Sequence, residues 1–457
     1  MKPEPFRIKV VEEIDLPNKA ERERLIKKAG YNVFQLKIDE IYIDLLTDSG
    51  TSAMSDRQWA AMITTKQAYA GSNSYYQLEK AVKDLFGFKY FVLVHQGRAG
   101  EHLLFSSLVK PGEIVPNNSH FDTTQANVRL VGGLPKDFAA KDAYNPSKTA
   151  PFKGNMDLEK LEEFVGKNRD KIALIMTTIT NNAVGGQPVA MENIRQTSQI
   201  ARKYKRLFFI DACRVAENAY FIKTREKGYK NKNIKAIIRE IFSYADGCTF
   251  SGKKDALTNI GGLVGMNSKR VFEKIRNMQV ITEGFPTYGG MACRDLASMA
   301  RGLQESTRES YLEYRHEQIN YLWEKLSKAG VPIVNPVGGH AVFIDGKKFF
   351  SHLPQEQYPS QTLAVELYIE SGVRGVELGT SCFGEIDEKT GKLILPKLDL
   401  LRLAIPRRTY TANHLAYVAE SVIKVYKRRR KVRGLKRVYA PLLLGHFLAR
   451  FERVVSR

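Results

Sequence analysis

Through the middle of the chain, short apolar runs alternate with longer stretches in which apolar positions recur every three or four residues. The first pattern predicts buried strands, the second amphipathic helices. Tyr90 to Val94 predicts a strand, followed by a helix from Arg98 to Val109 that Pro111 and Gly112 end. Further strands are predicted at Ile172 to Thr177, Leu207 to Ile210 and Cys248 to Phe250, with a helix from Glu192 to Tyr204 between the first two. This alternation predicts an α/β fold with a mostly parallel sheet, which binds ligands at the carboxyl ends of its strands. Beyond residue 310 the pattern changes to a long helix (Tyr311 to Ala329), a strand (Ala341 to Ile344), a helix (Thr362 to Ser371), a strand (Leu400 to Ile405) and a final helix from about Thr411. A smaller α+β domain is expected there. With a helix at Glu21 to Ala29, the expected division is an N-terminal arm and part of the small domain at 1–55, a large domain at 56–310 and a small C-terminal domain at 311–457.

At 457 residues and 43% hydrophobic, the chain can bury a large core. It holds no run of roughly 18 apolar residues, and Met1-Lys2-Pro3-Glu4-Pro5 lacks the apolar centre of a signal peptide, so a cytoplasmic protein with no membrane partner is expected. Cys213, Cys248, Cys293 and Cys382 show no CxxC spacing and the eight histidines are scattered, so spacing points to neither a disulfide framework nor a zinc site. The net charge of +22 raises the question of nucleic acid. Nine Lys or Arg with no acid fall between Lys424 and Arg437, leaving +13 spread over the rest. A general basic bias without an aromatic RNA-binding pattern, finger spacing or basic zipper predicts no nucleic-acid partner.

Candidate chemistry centres on Ser251-Gly252-Lys253-Lys254, which follows an apolar strand 43 residues after Asp211, itself at the end of Leu207-Phe208-Phe209-Ile210. A lysine amine can form a Schiff base with a cofactor aldehyde where cationic and apolar neighbours hold its pKa down, and Lys253 is such a neighbour. A carboxylate at Asp211 would keep a pyridinium protonated, which points to pyridoxal phosphate. His95-Gln96-Gly97-Arg98 lies between a strand and a helix, where free N–H groups favour a phosphate. Phe121-Asp122-Thr123-Thr124 can set a ring over the cofactor and an acid beside the substrate, Arg214 can reach the cofactor's phenolic oxygen, and Arg402 can grip a substrate carboxylate. Each has a plainer reading: a solvated lysine pair, aspartates capping helices, a surface helix arginine, and a structural salt bridge for Arg402.

Longer motifs then enter in order: Thr47-Asp48-Ser49-Gly50-Thr51, Tyr69-Ala70-Gly71-Ser72, Gln96-Gly97-Arg98, Phe121-Asp122-Thr123-Thr124, Gly185-Gly186-Gln187-Pro188, Glu217 to Lys223, Ser251-Gly252-Lys253-Lys254 and Gly284 to Gly290. Together they resemble the β-eliminating lyases from about residue 5 to residue 453. The resemblance implies a fold-type I pyridoxal-phosphate enzyme, a large mostly parallel-sheet domain with a smaller α+β domain, assembled as a homotetramer and acting on an amino acid. It implies Lys254 as the Schiff-base lysine and proton carrier, Lys253 as its tuner, Gln96, Gly97, Arg98 and Ser251 on the phosphate, Phe121 stacked on the ring, Asp211 at the ring nitrogen and Arg214 near the phenolic oxygen. Thr47, Ser49, Asn182 and Arg402 would hold the substrate's amino-acid portion. Tyr69, from a neighbouring subunit, would assist departure of the aromatic group.

Three positions bear on which aromatic group leaves. Tyrosine-cleaving members carry threonine, arginine and phenylalanine where this chain has Asp122, Leu378 and His446. An arginine suits a phenolic oxygen gaining charge, whereas an indole N–H would meet only another donor there. Asp122 and His446 can move a proton to the indole carbon that loses its side chain. The expectation is therefore β-elimination of tryptophan to indole, pyruvate and ammonia, with tyrosine cleavage to phenol as the alternative. A fold retained only for binding through the basic surface would require decay of Lys254, Asp211, Arg214, Tyr69 and Arg402, and all are present. The resemblance also implies a K⁺ held by Gly50 and Asn259 with residue 67, where the family's glutamate is Gln67; an amide oxygen ligates with less charge, and weaker binding is expected.

Overall fold

The computed structural model describes residues 3–387, 390–441 and 444–455. Seven strands carry the central layer: β1 (Tyr90–Val94), β2 (Ile114–Asn117), β3 (Leu134–Asp137), β4 (Leu174–Thr178), β5 (Leu207–Asp211), β6 (Gly247–Ser251) and β7 (Gly262–Met266). Pairing runs β1-β7-β6-β5-β4, and β2, paired with β3, meets the start of β4 through the bridge Ile114–Ile172. β7 is antiparallel to both β1 and β6, while β4 to β6 and the β2–β3 pair are parallel. The expected mostly parallel sheet is therefore present, with one reversed strand that the residue pattern does not mark. The central strands are largely apolar because helices cover both faces.

Those helices begin and end where local chemistry dictates. Asn73–Phe86 starts at Ser72, whose hydroxyl accepts from Tyr75 N–H, and stops at Gly87 with φ of 79°, a conformation costly for other residues. Gly97–Leu108, Met191–Lys203 and Glu309–Lys328 form within a residue or two of the predicted bounds. The C-terminal part holds a three-stranded antiparallel sheet of Val376–Leu378, Leu400–Ala404 and Ala341–Asp345, with the helices Pro359–Ser371 and Ala412–Lys427. Ala412–Lys427 is not the last element. Leu435–Tyr439 and Arg450–Arg453 pair antiparallel beyond it, so part of the basic run is strand, and its Leu435 is buried. The adjacent basic residues Lys436 and Arg437, within a longer basic run, masked that strand.

One apolar cluster draws on residues from Leu78 to Leu312, and a second joins Leu25–Leu45 to Ile319–Phe451. The N-terminal helix Lys19–Lys28 thus packs with the C-terminal part, and Ile43–Asp44 pairs parallel with Val373–Arg374. No helix among the described residues is long and apolar enough to cross a membrane.

A fully buried ion network ties these parts together. Arg407 donates to Asp48 (2.9 Å), Glu217 (2.8 Å) and Asp255 (3.2 Å), and Arg214 grips Asp48 bidentately at 2.9 and 2.7 Å. Burial alone would raise Asp48, yet Arg214, His340 and Arg407 hold it well below the usual carboxylate range. Removing one partner from such a group leaves buried charge uncompensated. Arg407→Met is expected to lose about 3–5 kcal/mol of stability, read from urea unfolding at matched protein concentration; an unchanged midpoint would mean that the network is dispensable.

Candidate active site

The parallel strands end on one edge of the sheet, and the turns that follow them line a cavity of about 270 Å³. After β1 come Gln96, Gly97 and Arg98, the last two opening the helix Gly97–Leu108 with backbone N–H groups unpaired inside the helix. After β6 comes Ser251, followed by the short helix Gly252–Asp255 that carries Lys253 and Lys254. The two turns meet so closely that a Cβ on Gly97 would lie 2.7 Å from that of Ser251. Only glycine leaves its N–H open to an anion here. Lys254 Nζ donates to Ser251 Oγ at 3.2 Å. Burial, then the charges of Lys254 and Arg98, lower the pKa of Lys253.

Asp211 and Arg402, both buried in the cavity, lack an opposite partner among the described residues. Asp211, at the end of β5, accepts from Cys213 N–H at 3.3 Å. Arg402, on Leu400–Ala404, donates to Asn182 Oδ1 (3.3 Å) and to the Leu46 carbonyl (2.9 Å), while its Nε has no acceptor. Burial pulls Arg402 down to about 10. The structural salt bridge considered for Arg402 is absent among the described residues, where a ligand carboxylate would satisfy it. Thr47 and Ser49 stand on the same wall, Thr47 Oγ1 accepting from Ser49 N–H at 3.1 Å.

Phe121 caps the helix Asp122–Leu130 and lines the cavity. Asp122 Oδ2 lies 3.2 Å from His446 Nε2, and both are buried and line the cavity together with Leu378 and Val376. Arg214 also lines the cavity, but its Nε and Nη2 serve Asp48, so only its remaining nitrogen is open to a ligand.

Tyr69 lies outside the cavity, 72% exposed, its ring against Tyr288 and Phe285. Gly50 and Asn259 are neighbours, Asn259 Nδ2 donating to the Gly50 carbonyl at 2.8 Å, whereas Gln67 Oε1 accepts from Cys293 N–H at 3.0 Å. Those two oxygens already have protein partners, so a cation would have to compete for them.

Sequence reasoning missed Glu101, Phe34 and Phe447. Glu101 sits one helical turn beyond Gly97; burial and the Asp211 charge raise it to about 7, and it accepts from the Thr124 hydroxyl. A lone acid on an otherwise apolar helix face is the signal that marks it. Phe34 and Phe447 pack beside His446, with ring centroids 5.9 and 4.1 Å away. Phe34 lies over 400 residues away along the chain, and no local pattern marks it.

Pyridoxal phosphate fits this donor set. Open N–H groups with Arg98 and Ser251 suit a phosphate, Phe121 a flat ring, Asp211 a ring cation, and Lys254 an aldehyde; the buried hydroxyls of Thr180 and Thr249, which have no partner, line the same space.

Residues 44–421 match the model of the β-eliminating lyase family. The chain is 48% identical to a tyrosine phenol-lyase from Symbiobacterium thermophilum over 99% of this chain and 98% of that protein. It is also 48% identical to a tryptophanase from Hyphomonas neptunium over 99% of each. Among solved structures, an aspartate aminotransferase double mutant from Thermus thermophilus shares the fold with a TM-score of 0.62 and 16% identity, covering 89% of this chain and 94% of its own. From the Gly97 geometry, Gly97→Ala is expected to leave the fold intact but to release cofactor: absorbance of the bound cofactor after gel filtration should fall about tenfold or more relative to wild type. Full retention would show that the turn does not hold the phosphate.

Proposed function

We infer, from the premise that this chain belongs to the β-eliminating lyase family and is a pyridoxal-phosphate enzyme of fold type I, that it is a tryptophan indole-lyase. The carrying observation is the side-chain end of the cavity, where the Asp122–His446 pair at 3.2 Å faces Leu378. An apolar wall with one proton-moving pair suits an indole. A phenolate would call for a cation at residue 378.

Bound pyridoxal phosphate supplies delocalisation of the electron pair left when the α-proton departs. Lys254 is the attachment lysine and the base that takes that proton, with Ser251 Oγ beside its Nζ. Lys253 tunes it through like charge. Gln96, Gly97, Arg98 and Ser251 hold the phosphate, Phe121 stacks on the ring, Asp211 faces the ring nitrogen, and Arg214 offers its one open nitrogen to the phenolic oxygen. Arg402 donates to the substrate carboxylate and exchanges its weak amide contact for a charged one, helped by Asn182, Thr47 and Ser49. His446, oriented by Asp122, delivers a proton to the indole carbon that loses the side chain, which makes indole a leaving group. Phe34 and Phe447 exclude water around that step.

Tyr69 acts in this scheme from a second copy of the chain. Its exposure, and that of Trp59 and Ile281, supports an oligomer in which this surface is covered. K⁺ at Gly50 and Asn259 with Gln67 stays within the proposal as a weak site.

The second reading, cleavage of tyrosine to phenol, has the tyrosine phenol-lyase relatives in its favour. Indole release from tryptophan and phenol release from tyrosine separate the two. Tryptophan is expected to be the better substrate by kcat/KM, and Leu378→Arg should cost indole release about tenfold or more while sparing tyrosine turnover. A wild-type preference for tyrosine would overturn the pocket assignment.

A further inference from the structure

Three side chains from distant segments converge behind the substrate side of the cavity: Asp122 at a helix start, Cys382 in the turn Thr380–Phe383, and His446. Asp122 Oδ2 lies 3.2 Å and Cys382 Sγ 4.0 Å from His446 Nε2, and all three ligand atoms lie within 4.8 Å of one another. Among the described residues this is the one such convergence of three His, Cys, Asp or Glu side chains. Tetrahedral zinc, bonded at about 2.0–2.1 Å to nitrogen and oxygen and about 2.3 Å to sulfur, separates N from O by about 3.3 Å and N from S by about 3.6 Å. The observed spacings match the first and need only a small inward shift of Cys382 for the second.

We propose that Asp122, Cys382 and His446 form a binding site for a divalent cation of borderline softness, zinc(II) being the type, with its fourth position open to the cavity. The ligand charges support it: one carboxylate and one thiolate neutralise a dication, so the occupied site carries no net buried charge. Glu377 lies under the Cys382 backbone, accepting from the N–H groups of Ser381 and Cys382 and so fixing the turn that carries the thiol. Arg402 is the opposing charge nearby.

On metal entry the Cys382 Sγ–H bond breaks, the proton passes to solvent and the Sγ–metal bond forms. His446 gives up its contact with Asp122 and coordinates through Nε2, carrying its proton on Nδ1. Buried Nδ1 has no partner here, so the supporting shell of a permanent structural site is missing and binding is reversible. A metal held there occupies the pair that faces the substrate and stops turnover. That consequence, unlike metal binding itself, rests on the proton-delivery role proposed for Asp122 and His446.

Cobalt(II) is the probe, added to the cofactor-loaded enzyme. One equivalent per chain is expected to give the intense visible bands of four-coordinate, thiolate-bound cobalt, abolished by excess zinc(II), lost in Cys382→Ser and kept in Cys293→Ser. Unchanged cofactor absorbance and elution show that the serine variant is folded, and Cys382→Ala provides a second variant should it not be. Weak six-coordinate bands, or bands that persist without Cys382, overturn the site. Zinc(II) should also suppress indole release reversibly in the wild type and not in Cys382→Ser. Cobalt bands without that suppression would sustain the metal site and overturn the proton-delivery role.

Discussion

Arg407 is the constraint on which the site depends. Wholly buried, it meets carboxylates from the N-terminal segment (Asp48), from the helix after β5 (Glu217) and from the residue after Lys254 (Asp255). Asp48 in turn fixes Arg214. A buried guanidinium is tolerated only where such partners converge, so satisfying it fixes the Lys253–Lys254 turn against the N-terminal segment that bears Thr47 and Ser49. Arg402, five residues earlier, reaches the cavity from the same stretch and donates to Leu46. Cofactor wall and substrate wall are held in register by one cation.

The same electrostatic logic separates scaffold from site. In the network around Arg407, buried charges are paired with opposite ones; in the cavity, Asp211 and Arg402 have no opposite charge among the described residues. Asp211 lies at the end of a parallel strand, where a ring cation would satisfy it, and Arg402 lies where a carboxylate would. An amino acid bound beside a protonated pyridine supplies both missing partners, which is why the arrangement reads as a pyridoxal-phosphate site and not as a general anion pocket.

Much of this is legible in the sequence, for a definite reason. Strands buried on both faces are written as continuous apolar runs, so Tyr90–Val94 and Leu207–Asp211 announce themselves and with them the residues at their ends, Gln96-Gly97-Arg98 and Asp211. The reversed direction of Gly262–Met266 leaves no such mark, since a strand buried on both faces looks alike whichever way it runs. Contacts between distant segments are equally silent. Phe34 enters the cavity, and Cys382 meets His446, through tertiary placement alone, and cysteine spacing along the chain cannot show a convergence drawn from three distant segments. The resemblance to the β-eliminating lyases supplied roles for Tyr69 and Gln67, which the single chain leaves outside the cavity.

On the proposed reading, the turn after β6 presents Lys254, and not its neighbour, to the cofactor. Lys254 Nζ reaches Ser251 Oγ within the cavity, while the Lys253 side chain runs toward Gly50. Borohydride reduction of the cofactor-loaded enzyme, followed by peptide mapping, fixes the cofactor to whichever lysine carries it. The geometry predicts the adduct on Lys254; an adduct on Lys253, or on neither, would contradict it.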